Sequence, residues 1–125
     1  MNVPENLGYT KEHEWTRPEG DAVVIGITDY AQGELGDIVF IELPAIGKKT
    51  ERMKPCASIE AVKAVSDLFS PLTGEVVEVN KDLESAPQLI NQDPYGQGWI
   101  LKIKPADKAE LDSLMNHEDY KKHIG

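Results

Sequence analysis

The strongest constraint on how this chain folds is the stretch Ser58-Ile-Glu-Ala-Val-Lys-Ala-Val-Ser-Asp67. Apolar residues run into Lys63 from Ile59 and leave it through Ala64, Val65 and Leu68. The segment has neither the length nor the caps of an independent helix. It reads as two short strands joined by a tight turn, with Lys63 at or beside the tip. A lysine there keeps its charge in water while its small and β-branched neighbours pack. On this pattern alone, an ordinary solvated hairpin lysine is the simpler account.

Composition narrows the remaining classes. A chain of 125 residues suits one domain with a real core, not two. Its 40% hydrophobic and 28% charged content is that of a globular protein. No apolar run approaches the ~20 residues needed to cross a bilayer. The start, Met1-Asn-Val-Pro-Glu-Asn6, has neither signal nor transit character, so a cytoplasmic protein beginning at Met1 is expected. A single cysteine, Cys56, excludes an internal disulfide and a Cys-rich metal site, and a buried inert thiol is expected. The net charge of −9 argues against a nucleic-acid backbone or an anionic membrane as partner. It suits docking onto basic patches of other proteins.

Strand signals recur along the chain. Tyr9 to Arg17 predicts a first strand, and Pro18-Glu-Gly-Asp21 a turn. Val23-Val-Ile-Gly-Ile27 predicts a strand buried on both faces. Thr28 is an N-cap for a short helix through Leu35 that Gly36 stops. Asp37 to Leu43 is another strand, closed by Pro44-Ala-Ile-Gly47, and Lys48 to Lys54 a loop with a short strand inside. After the Lys63 hairpin come a turn at Ser70-Pro-Leu-Thr-Gly74 and a strand from Glu75 to Val79. Asp82 to Gly98 predicts loops around at most one short helix, and the alternation from Trp99 to Lys104 a last strand.

Beyond Pro105 the pattern changes. Asp107 and Glu110 form an acidic capping box, with Leu111, Leu114 and Met115 at helical spacing. His117 to Ile124 predicts a second short helix, and both are expected to cap a β core. There is also an internal echo: Gly36-Asp-Ile-Val-Phe-Ile41 returns 38 residues later as Gly74-Glu-Val-Val-Glu-Val79. Two similar halves flanking Lys63 suggest a pseudo-symmetric sandwich whose joining hairpin displays one lysine.

Catalytic patterns are missing. There is no Gly-rich phosphate loop and no nucleophile elbow. His13, His117 and His123 are far apart in sequence, without a partner at i,i+4. Trp15 and Trp99 are expected as core anchors. The chain does not read as an enzyme.

Several motifs occur in one order: His13-Glu-Trp15, Gly26-Ile-Thr-Asp-Tyr-Ala-Gln32, Leu35-Gly-Asp-Ile-Val-Phe-Ile-Glu-Leu-Pro44, Glu60-Ala-Val-Lys-Ala-Val-Ser-Asp67, Pro71-Leu-Thr-Gly-Glu-Val76, and Asn91-Gln-Asp-Pro-Tyr95 through Trp99. Together they resemble the H protein of the glycine cleavage system, from about Tyr9 to the C-terminal helix. Two departures are visible. Ala61 stands where the family commonly has serine, and Met53-Lys-Pro-Cys-Ala57 replaces a more usual Gly-containing approach to the hairpin.

The resemblance implies a mainly β, barrel-sandwich hybrid fold of the biotinyl/lipoyl-carrier type, with short helices including a C-terminal helical cap. One domain would fill residues 1–125, with a β core over about 9–104 and a helical segment over about 107–124. It implies lipoate in amide linkage on Lys63, hence a carrier and not a catalyst. In the family, the P protein (glycine decarboxylase) loads an aminomethyl group on the arm, the T protein (aminomethyltransferase) takes its carbon, and the L protein (dihydrolipoamide dehydrogenase) reoxidises the dithiol. A loaded arm needs a water-poor cleft and a carboxylate for the cationic amine. Glu14 and Asp67 are the candidates for that role, and Glu60 for recognition by the lipoylating enzyme. No metal is implied, and a monomer is expected. Four other readings compete with this one. An H-like relay of lipoate to other enzymes, and an acidic interaction module without a prosthetic group, remain open. A lipoyl domain of a 2-oxoacid dehydrogenase is disfavoured by Val62 before the lysine and by the N- and C-terminal elements. A biotin carrier is disfavoured by the lack of Met on either side of Lys63.

Overall fold

The β-branched run from Ala22 to Ile27 forms β3, which lies inside a six-stranded sheet. A computed structural model describes residues 1–125 and gives nine strands and four α-helices, with one 3₁₀ helix besides. In chain order these are β1 (Gly8–Tyr9), β2 (Glu14–Glu19), β3 (Ala22–Ile27), α1 (Asp29–Leu35), β4 (Ile38–Glu42), β5 (Lys49–Thr50), β6 (Pro55–Ala61), β7 (Val65–Phe69), β8 (Gly74–Val79), α2 (Asp82–Ser85), α3 (Leu89–Gln92), β9 (Leu101–Pro105) and α4 (His117–Ile124). The larger sheet has the order β1-β2-β3-β9-β8-β5 and the smaller β4-β6-β7, with antiparallel pairing throughout. These are two separate sheets and not one closed barrel. The mainly β barrel-sandwich architecture with short helices and a C-terminal helical cap is the one observed.

One core joins the sheets. Val23, Ile25 and Ile27 of β3 and Leu101 and Ile103 of β9 pack with Ile38, Ile41, Ile59 and Leu68 of the smaller sheet. Each fully buried aliphatic side chain contributes roughly 1.5–3 kcal/mol. Val24 points the other way, into a second cluster of Val3, Leu7, Tyr9, Trp15 and Tyr120. The N-terminal segment and α4 thus cover the outer face of β3, which is why that strand is apolar on both sides. Trp15 lies so close over Gly26 that a Cβ there would come within 2.7 Å of three indole atoms. Its Nε1–H donates to the Pro94 carbonyl at 2.9 Å.

The expected strand from Tyr9 to Arg17 is broken. Between β1 and β2 the Glu14 N–H donates to Thr10 Oγ1 (3.1 Å), and His13 takes a φ of 73°. A local side-chain acceptor here competes with the ladder and turns a corner. Asp82 to Gly98 holds two one-turn helices where the sequence predicts at most one, and the last strand begins at Leu101, two residues after Trp99. Trp99 is half-buried against the second cluster. The segment after Pro105 is a 3₁₀ helix, Lys108–Ser113, followed by a bridge between Met115 and Tyr9. Asp107 does cap it, accepting from Ala109 N–H at 2.9 Å. Glu110 does not close the box. Its carboxylate accepts from the N–H and hydroxyl of Thr73 at 2.8 and 3.1 Å, because the fold brings that turn within reach. The echoed segments become β4 and β8, one in each sheet.

Candidate functional site

Strands β6 and β7 form the expected hairpin, with Val62 and Lys63 as its two turn residues. The Ala61 N–H donates to the Ala64 carbonyl at 2.7 Å, and the Val62 N–H to the Asp37 carbonyl at 3.0 Å. Lys63 is exposed and forms no ion pair. Its stem lies across Gly36, where an added Cβ would sit 3.3 Å from the lysine Cε. Gly36 ends α1 with φ 79° and ψ −156°, a region essentially reserved for glycine.

Asn91, on α3, fastens this corner. Its Oδ1 accepts from the Ile38 N–H (2.9 Å), while Nδ2 donates to the Gly36 carbonyl (2.8 Å) and to Gln32 Oε1 (3.0 Å). The support of the lysine turn therefore comes from a side chain distant in sequence, and no periodicity around Asn91 announces that role.

A cleft of about 290 Å³ begins one residue from Gly36. Leu35, Glu34 and Tyr30 of α1 form one wall, the corner residues His13 and Glu14 another, and Asp67 lies on the β7 rim. Half the lining residues are apolar, four are carboxylates (Glu12, Glu14, Glu34 and Asp67), and none is lysine or arginine. Tyr30 and Glu34 are four residues apart, so they share a face of α1. That spacing was available in the sequence, whereas the opposite wall was not.

The structure brings Glu14 and Asp67 to one cleft and leaves Glu60 out of it. Glu14 is not a solvated strand carboxylate: it is 1% exposed. Thr10 Oγ1–H donates to it at 2.5 Å and the Phe69 N–H at 3.4 Å. Burial pushes its pKa up to about 8, against the opposing pull of the Thr10 and Phe69 hydrogen bonds. Asp67 pairs with Ser58 in the ladder and shares the outer side of β7 with Val65, opposite core-facing Leu68. It is therefore a rim residue. Glu60, exposed on the outer face of the smaller sheet, opposes Val65 and Phe40.

Two of the histidines far apart in sequence meet beside the cleft, which His13 lines. The His13 and His123 ring centroids are 5.6 Å apart, and Tyr30 lies 4.8 Å from His13. Burial, then the neighbouring His123, lowers the His13 pKa. Cys56 is buried, and its thiol is pushed up to about 12 by burial and by Glu14. An exposed lysine on a tight turn beside a half-apolar, acid-lined cleft can carry a covalent arm and shelter a cationic end group.

Known proteins match this chain along nearly its whole length. The family model described as "Glycine cleavage H-protein" matches residues 7–125. The glycine cleavage system H protein of Bacteroides fragilis is 55% identical over 121 residues, covering 97% of this chain and 96% of that one. A counterpart from Thermus thermophilus is 52% identical over 120 residues, covering 96% and 94%. The one from Staphylococcus carnosus is 51% identical over 125 residues, covering 100% and 99%. A crystal structure of a glycine cleavage system H protein from Mycobacterium marinum matches with a TM-score of 0.88 at 35% identity, covering 98% of this chain and 99% of that one.

Proposed function

Because the chain belongs to the glycine cleavage H-protein family, we propose that it is a lipoate carrier whose arm is attached through an amide to Lys63. In this reading the whole chain acts as one carrier domain, a cytoplasmic monomer. It takes the aminomethyl group of glycine from the P protein to the T protein, is reoxidised by the L protein and is modified by a lipoylating enzyme. When bound, lipoate supplies a strained cyclic disulfide that accepts the aminomethyl group together with two electrons. The observation that carries the reading is the placement of the Lys63 stem over Gly36, one residue from the cleft wall.

The residues present fit such a group. The two-residue turn holds the lysine clear of the sheet, and acylation removes an ammonium that no carboxylate neutralises. Leu35, Tyr30 and Ile27 give the cleft an apolar lining, which would shield a bound end group from water. A cationic amine arriving there meets Glu14, and the ionised form of that carboxyl attracts it by about 4 kcal/mol at 4 Å before desolvation. The same cation lowers the Glu14 pKa from about 8, so the carboxyl gives up a proton as the cleft fills.

Intact mass and peptide mapping of protein purified from its native cell test the assignment. A lipoyl increment on Lys63 is expected. An unmodified Lys63 in a cell whose other lipoyl proteins are modified would exclude a lipoate carrier, and the acidic interaction module would take its place.

A further inference from the structure

The smaller sheet has an outer face that the core does not use. Ladder pairing aligns Phe40, Glu60 and Val65 in one row across β4, β6 and β7, and Glu42, Ser58 and Asp67 in the next. The register of β4 shifts between Ile38 and Phe40. Val39 is the extra residue in that bulge, and Val39 and Phe40 in succession both face solvent, at 51% and 53% exposure. An uninterrupted strand would have turned one of them inward. Val62, in the lysine turn, and Val65, just beyond it, are 75% and 68% exposed. An aromatic residue and three valines therefore surround the base of the Lys63 turn without covering anything.

The charges on this face have one sign. None of the residues of β4, β6 or β7 is lysine or arginine, while Glu42, Glu60 and Asp67 are exposed. The larger sheet, by contrast, carries Arg17, Lys49, Lys102 and Lys104. Two copies of this chain meeting through the face would oppose carboxylates to carboxylates, which disfavours self-association. A partner with an apolar recess edged by basic side chains fits both features.

One class of enzyme has to reach the turn beside this face. A lysine stem is short, so an enzyme that acylates Nζ must bring its reacting carbonyl to the turn itself. Enzymes that act on the far end of the finished arm are released from that requirement. We propose that the Val39, Phe40, Val62 and Val65 patch, rimmed by Glu42, Glu60 and Asp67, is the docking face for the enzyme that acylates Lys63. Phe40 is its apolar anchor and the carboxylates its steering charges. The proposal rests on the carrier reading.

The test is acylation of the full unmodified chain by the lipoylating enzyme purified from the same cell, with thermal unfolding and light scattering as controls. Phe40→Ser is expected to lower kcat/KM at least tenfold with an unchanged melting temperature. Should Phe40→Ser unfold, Val39→Thr is expected to lower it severalfold. A double charge reversal, Glu42→Lys with Glu60→Lys, is expected to slow acylation and to flatten its dependence on ionic strength. Val77→Ser, an exposed apolar position on the other sheet, is expected to leave the rate unchanged. Wild-type rates for Phe40→Ser, Val39→Thr and the double reversal would overturn the docking face while the carrier reading stands. A wild-type chain that the enzyme never acylates would overturn the carrier reading itself. Concentration-dependent dimers that Phe40→Ser abolishes would reassign the face to a second copy of the chain.

Discussion

The Tyr120 hydroxyl lies 2.9 Å from Nδ1 of His13, so the C-terminal helix is fastened to the corner that carries Glu14. The same oxygen is 2.7 Å from Oγ1 of Thr28, the residue whose side chain caps α1. The His13 carbonyl in turn accepts from the Thr28 N–H at 3.0 Å. One buried phenol thus ties together the two walls of the cleft. Its ring stacks on Tyr9 with centroids 4.6 Å apart and planes within 10°.

Tyr120→Phe preserves that stacking and removes only the bridging oxygen. Thr28 loses a buried hydrogen bond and His13 a half-buried one, which costs about 1–3 kcal/mol. Urea denaturation should show that loss. Acylation of exposed Lys63 should proceed at the wild-type rate, because the turn takes its support from Asp37 and Asn91. An unchanged unfolding midpoint would show that the phenol holds nothing.

Glu14 makes stability depend on pH in an unusual direction. Its folded pKa of about 8 lies above the ordinary value of 4.5, so between them the folded state holds a proton that the unfolded state has released. Stability is then greatest below the unfolded value, falls as pH rises through this window, and levels off above the folded pKa. Glu14→Gln should flatten that slope and raise the melting temperature at pH 8.5 relative to wild type. Melting curves of the two proteins from pH 5 to pH 9, differing by a constant offset, would contradict it.

The same substitution separates stability from cargo protection. With the carboxyl gone, an aminomethylated arm loses its counter-charge in the cleft. Its hydrolysis should quicken severalfold, while the extent of lipoylation stays the same. Time-resolved mass spectrometry of the loaded protein reads both quantities. Equal half-lives would remove Glu14 from the protective role.

Gly36→Ala tests the corner beneath Lys63. The φ of 79° with ψ −156° costs a residue with a Cβ about 1–3 kcal/mol. The new methyl would also press on the Lys63 stem, which is flexible and yields. A fall in stability of that size is expected in denaturant titration. Asn91→Ala should loosen the same corner, since the Ile38 N–H and the Gly36 carbonyl both lose their side-chain partner.

Much of this molecule was legible from neighbouring residues. The β3 run, the Thr28 cap, the Gly36 stop and the Lys63 hairpin follow from side-chain branching, capping chemistry and turn geometry, which act over a few positions. The acidic box at Asp107 failed because Glu110 found Thr73, a partner 37 residues away. The cleft shows the same limit on a larger scale. Its walls come from residues 12–14, 27, 30–35, 59 and 66–69, and its fastening from Tyr120. The motif around Glu14 was visible, but its burial was not. Whether a carboxyl is solvated depends on what folds over it, here Thr10 at a turn and Phe69 from the other sheet. Periodicity and capping are properties of adjacent residues, and they specified the strands and the lysine turn. Desolvation is a property of the packed whole, so the cleft and the protonation of Glu14 arose only when the two sheets and the C-terminal helix came together.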